Sequence, residues 1–192
     1  MSAVPDPLPE IATTPLLRHA RDPDALETLA IAGTIATAEA HALPPALWLR
    51  GLDPDECARM LDTLFPGSRA ATGGPMPAAT PPDDELGTEF DDLLQLLLEA
   101  AEPRTPESRW LACAVATAAL FDNHLWQDLR LPDRRALSAL LQQRFPALAA
   151  RNTGNMRWKA FFYKQLCERA GMVCRAPSCG ACDDYEECFG PE

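Results

Sequence analysis

Apolar residues recur along this chain at the three- and four-residue spacing of helices and almost never alternate as they would in a strand. The clearest case lies between Asp83 and Ala101, where Phe90, Leu93, Leu94, Leu97 and Leu98 share one face and acids occupy the other. A second helix is predicted from Glu107 to about Phe121, opened by Thr105 as N-cap with Pro106 behind it. Its WLACAVATAALF stretch is rich in alanine, which predicts close packing against a neighbour. Pro132 opens a third helix, DRRALSALLQQRF, which ends near Phe145 and Pro146. A fourth runs from about Asn155 to Ala170, with Gly171 just past its end, where a left-handed backbone is common. Helices this close together, joined by short connections, predict an all-α fold, a compact helical bundle.

Two more helices precede these. One spans Asp22 to about Ala42, opened by Asp22-Pro23 and stopped by Pro44-Pro45. The other, DECARMLDTLF, follows Asp53-Pro54 and stops at Pro66-Gly67. Between the two groups, GSRAATGGPMPAATPP (67–82) has the composition of a flexible linker. The expected organisation is therefore an N-terminal helical segment (1–66), a linker (67–82), a helical body (83–171) and an irregular, cysteine-rich metal-binding segment (172–192) without periodicity.

Composition narrows the function. The 192 residues are 47% hydrophobic, enough for one core. A formal net charge of -11 argues against nucleic acid, whose binding needs a basic surface, and against anionic membrane surfaces. The first residues lack the basic and apolar regions of a secretory signal, and the longest apolar run, Trp110 to Phe121, falls short of the ~20 residues that span a bilayer. A cytoplasmic protein is expected. In that reducing compartment clustered cysteines bind metal more often than they pair, and seven is an odd number for disulfides.

The candidate chemistry sits at the C-terminal end. Cys174, Cys179, Cys182 and Cys188 are separated by four, two and five residues. The two-residue gap lets two thiolates turn toward one centre, and Gly180 eases that turn. Four thiolates suit tetrahedral zinc or an iron–sulfur cluster, and the spacing does not separate the two. The preceding segment, Arg151 to Ala170, holds five basic residues against one acid, Glu168. Arg157, Lys159 and Lys164, with Arg175 in the cysteine segment, are candidate contacts for an oxyanion or for the negative charge of a cluster. The competing reading is a solvated basic face on a helix that buries Trp158, Phe161, Phe162 and Leu166. His124, in the polar Asp122-Asn123-His124 turn, is a candidate additional ligand or, equally, a helix-end cap. Cys167 is a second candidate ligand, although a half-buried helix cysteine fits better. Cys57 and Cys113 fall in core patterns, and Trp126 and Trp158 read as core aromatics. The acids Asp183, Asp184, Glu186 and Glu187 form either a solvated loop or a source of an oxygen ligand. No phosphate-cradling loop, catalytic metal motif or nucleophile–base arrangement is present, so an enzyme is not expected.

Four stretches resemble the nitrogen fixation NifQ family: NHLWQDLRL (Asn123–Leu131), RFPALAARN (Arg144–Asn152), MRWKAFFYKQLCERAG (Met156–Gly171) and VCRAPSCGACDDYEECFGPE (Val173–Glu192). The resemblance covers over a third of the chain and includes the cysteine spacing. It implies an iron–sulfur protein that carries molybdenum and donates it to assembly of the nitrogenase iron–molybdenum cofactor. It further implies a cluster of 4Fe-4S or molybdenum–iron–sulfur type held by Cys174, Cys179, Cys182 and Cys188. Molybdate, the NifEN scaffold and the nitrogenase iron protein NifH are the implied partners. The alternative is a small helical interaction or regulatory protein with a structural four-cysteine zinc site.

Overall fold

The alanine-rich run becomes the helix around which the rest assembles. The computed structural model describes residues 15–71 and 85–171, and no strand occurs among them. The longer helices are α1 (Leu26–Ala40), α2 (Pro54–Leu64), α4 (Glu85–Ala100), α5 (Pro106–Ala119), α7 (Arg134–Arg144) and α9 (Trp158–Arg169). Single helical turns lie between them: α3 (Ser68–Ala71), α6 (Leu125–Asp128) and α8 (Pro146–Ala149). No helix among the described residues is long and apolar enough to cross a membrane.

The reason α5 sits at the centre is side-chain size. From Leu111 to Ala119 every residue is buried, and six of these nine are alanine or cysteine, which lets neighbouring backbones approach. α1 packs along one side and α4 along another. The α1 contact is polar as well as close, because the Thr34 hydroxyl lies 2.9 Å from its own helix at Ala30 O and 3.3 Å from Ala114 O on α5. The Thr117 hydroxyl donates to Cys113 O and accepts the backbone N–H of Arg50, fastening the α1–α2 connection. Ile31, Met60, Leu61, Phe65 and Trp110 form a core on the α2 side of α5. Leu93, Leu97, Leu140, Phe145 and Phe162 form the larger core on the other. The N-terminal helices thus share a core with the segment after the linker.

Caps set several boundaries. The Asp53 carboxylate accepts from Glu56 N (2.7 Å), Thr105 from Ser108 N (3.3 Å) and Asp133 from Ala136 N (2.8 Å), each satisfying a first-turn N–H. Gly171 follows α9 with φ +71, as its place in the sequence predicts. Other starts differ from expectation. α1 begins at Leu26 rather than near Asp22, since Asp22 to Asp24 lie in a turn and the cap position, Ala25, supplies no side-chain bond. α9 begins at Trp158 rather than near Asn155. The Asn152 side chain holds both the N–H and the carbonyl of Met156, and Asn155 takes φ +53, so a helix cannot form there. Of the predicted linker, residues 68–71 form α3, and residues 72–82 lie outside the described residues.

Candidate functional site

The polar turn after α5 and the start of α9 meet at one corner of the molecule. Asp128, at the end of α6, has a side chain 1% exposed, and the Lys159 ammonium lies 2.6 Å from its Oδ2. Lys159 Nζ also donates to Phe121 O (2.6 Å), and the Asn123 amide donates to Asp128 Oδ1 (3.1 Å). Burial pulls the Lys159 pKa below its ordinary 10.5, and the Asp128 carboxylate opposes that pull. The pair therefore ties the carboxyl end of α5, the single turn α6 and the first turn of α9 into one unit. Arg130 continues the arrangement: at φ +49 it turns back to donate to Ala36 O (2.9 Å) and Thr37 Oγ1 (3.2 Å) near the end of α1.

Beside the buried pair lies an open hollow of about 560 Å³, lined among others by Asp122, Asn123, His124, Gln127, Arg157 and Lys159. His124 occupies the N-cap position of α6, where its backbone N–H donates to Gln127 Oε1 (3.1 Å). Arg157 precedes α9 directly. A second hollow of about 560 Å³ lies across α6, lined by Trp126, Arg134, Arg135, Ser138, Gln142 and Asn155 among others. Arg134 is anchored there, donating to Asn155 O (2.7 Å) and Met156 O (3.1 Å). One hollow thus brings the 122–127 segment together with 157–160, and the other brings Trp126 together with the 133–142 segment and Asn155.

The remaining expected site residues are distributed differently. Lys164 lies on the exposed side of α9, 4.0 Å from Glu168 one turn on. Cys167 is also on α9 and is exposed rather than half-buried. Cys57 and Cys113 are buried, and burial drives their thiols up to about 11 and about 12, so neither is a ready thiolate. Cys174, Arg175, Cys179, Cys182 and Cys188 lie outside the described residues, as do Asp183, Asp184, Glu186 and Glu187. Among the described residues no group of three or more His, Cys, Asp or Glu side chains converges as metal ligands would. Sequence alone assigns Asp128 and Arg130 no role. Their signal was the placement of an acid and a base between apolar residues in LWQDLRL, a segment otherwise composed for burial.

A helical body with a polar-locked corner, followed in sequence by four cysteines, defines a small helical protein. The family model for NifQ matches residues 28–190, a span that includes the corner and all four cysteines, and the chain belongs to the NifQ family. It is 42% identical over 151 residues to Protein NifQ of Azotobacter vinelandii, covering 74% of this chain and 77% of that protein. It is 38% identical over 154 residues to Protein NifQ of Rhodobacter capsulatus, covering 80% and 82%. A Protein NifQ homolog of Sinorhizobium fredii (strain NBRC 101917 / NGR234) is 49% identical over 109 residues, 56% of this chain and 47% of its own. No solved structure matches the chain.

Proposed function

We propose that this protein serves nitrogen fixation as a carrier, not an enzyme: an iron–sulfur protein that holds molybdenum and donates it to assembly of the nitrogenase iron–molybdenum cofactor. The observation that carries this reading is the Cys174, Cys179, Cys182, Cys188 set at gaps of four, two and five residues, lying within the span matched by the family. An all-thiolate set is soft, which suits iron and sulfide, and harder oxygen or nitrogen donors suit molybdenum. A bound cluster would give molybdenum, the cargo, a sulfide environment in place of the oxygens of molybdate.

The chain's own residues supply the rest. The four cysteines hold the cluster, on the segment that follows α9 in sequence. Arg157 and His124, at the corner hollow, favour anions and offer a nitrogen donor respectively. Lys159 is committed to Asp128 and Phe121, so its contribution is to fix this corner. The NifEN scaffold and the nitrogenase iron protein NifH are the proposed recipients, and the cytoplasm is the proposed location.

Elemental analysis of anaerobically purified protein tests the reading. Iron and acid-labile sulfide, with molybdenum after incubation with molybdate, are expected. Zinc alone, in protein that folds normally, overturns the proposal in favour of a structural zinc site. Cys179→Ala and Cys182→Ala should each abolish the iron–sulfur absorption while leaving the helical signal intact; a variant that kept full iron and sulfide would remove these cysteines from the ligand set.

A further inference from the structure

Ahead of α1 the chain makes a short 3₁₀ turn, Pro15–His19, in which no residue is fully buried. Leu16 and Leu17, with Ala20 just after them, pack against the α2-side core. Polar ties are few. The Arg21 N–H donates to Leu64 O (2.9 Å) at the end of α2, whereas the side chains of Arg18 and His19 make no ion pair or hydrogen bond among the described residues. The His19 ring lies near Gly67, where a Cβ would stand 3.8 Å from its Nδ1. The next residue, Ser68, is 1% exposed, and its hydroxyl has no hydrogen-bond partner. The joint to α1 is lightly held as well: Asp22 to Asp24 lie in a turn, and Ala25 gives the first turn of α1 no side-chain cap.

Apolar contact closes this segment over the core, and two effects oppose the closure. A hydroxyl sealed away without a partner is worse off than one in water. The segment also gives up its conformational freedom for few bonds. The helical body does not share these costs. Every residue of α1 from Ala30 to Ala38 is buried, and Ile31, Met60, Phe65 and Trp110 meet between α1, α2 and α5. We propose that residues 15–21 are a strap that opens as a unit while α1, α2 and α5 stay folded, uncovering the apolar edge of the core at the end of α2 and admitting water to Ser68. The hinge is the turn at 22–25. The strap does not rest on the carrier function proposed above.

Thiol labelling of the full chain carrying Ser68→Cys, read by peptide mapping, tests the strap. The introduced thiol should react with iodoacetamide about 100-fold faster than Cys57 and Cys113, which wait for wider unfolding. Adding Leu17→Asp should hold the strap open and speed that reaction about tenfold more, with the rates at Cys57 and Cys113 unchanged. Hydrogen exchange of the unaltered chain is the second measurement. The Arg21 N–H should exchange through an opening that low urea does not promote, while the N–H groups of Ala30 to Ala38 follow global unfolding. An introduced thiol no faster than Cys57 overturns the proposal. So does a Leu17→Asp variant that speeds Cys57 and Cys113 by the same factor, which would make the segment part of the core. If Ser68→Cys does not fold, exchange decides alone: equal urea dependence at Arg21 and along α1 leaves no strap.

Discussion

The centre of this molecule and its corner are held together by opposite means. Along α1 and α5 the contact is made from small residues and threonine hydroxyls, and the helices approach until backbone touches side chain. Where α6 meets α9, the contact is one buried ion pair with its satellite hydrogen bonds. Apolar packing is non-directional and tolerates exchange of one hydrophobic residue for another. A buried carboxylate–ammonium pair tolerates almost nothing, since loss of either partner strands the other charge in a medium that solvates it poorly. The first arrangement makes a fold; the second fixes a particular geometry, and here it does so beside the two hollows.

Removing one half of the pair should give the largest effect. Asp128→Ala leaves Lys159 buried without its counter-charge and should cost about 3–5 kcal/mol in urea unfolding. The Asp128→Ala, Lys159→Met double variant should recover most of that loss. If the single and double variants are equally unstable, the pair is not what holds the corner. Next, Gly33→Ala probes close approach within α1. A Cβ there would stand 2.0 Å from Leu129 O, a backbone atom that cannot swing away. A loss of about 1–3 kcal/mol is expected, at the upper end for a backbone clash. A neutral result would mean α1 and the α6 turn are looser than described.

The smallest effect at neutral pH comes from the buried thiols of the centre. Iodoacetamide should label Cys167 in the native protein and reach Cys57 and Cys113 only on unfolding, as peptide mapping would show. The same thiols carry a pH dependence. Their folded pKa values, about 11 and about 12, lie above the ordinary 9.0. Above pH 9 the unfolded chain therefore holds fewer protons than the folded one. Their contribution is fully present below pH 9 and is lost as pH rises toward 11 and 12, at up to about 1.4 kcal/mol per pH unit for each thiol. Cys113→Ala should flatten the decline in stability between pH 9 and 11; an unchanged decline would assign it to other groups.

How much of this was legible in sequence depended on how local the cause was. α2 and α5 could be placed from Asp53-Pro54 and Thr105-Pro106 because a cap and a proline act within one turn. The alanine-rich composition of α5 forecast its central burial. α9 starts later than its sequence suggests, since the bonds that delay it run from Asn152 and Arg134 to a backbone that looks helix-competent by itself. The turns α6 and α8 are too short to show a period. At the candidate site, the four-cysteine spacing is visible in the sequence, and so was the basic character of α9. What sequence could not reveal was that Lys159 is spoken for: its partner is 31 residues away, and only tertiary folding brings Asp128 beneath it.

That partnership also gives α9 a direction of fraying. Its first turn is clamped by buried bonds to two other segments, whereas its last turn is tied to the body by the exposed Arg169–Glu99 pair. Thermal opening should therefore begin at the carboxyl end and propagate backward, and hydrogen exchange along the helix should slow steadily from Arg169 toward Phe161. The four cysteines are attached to the end that loosens first.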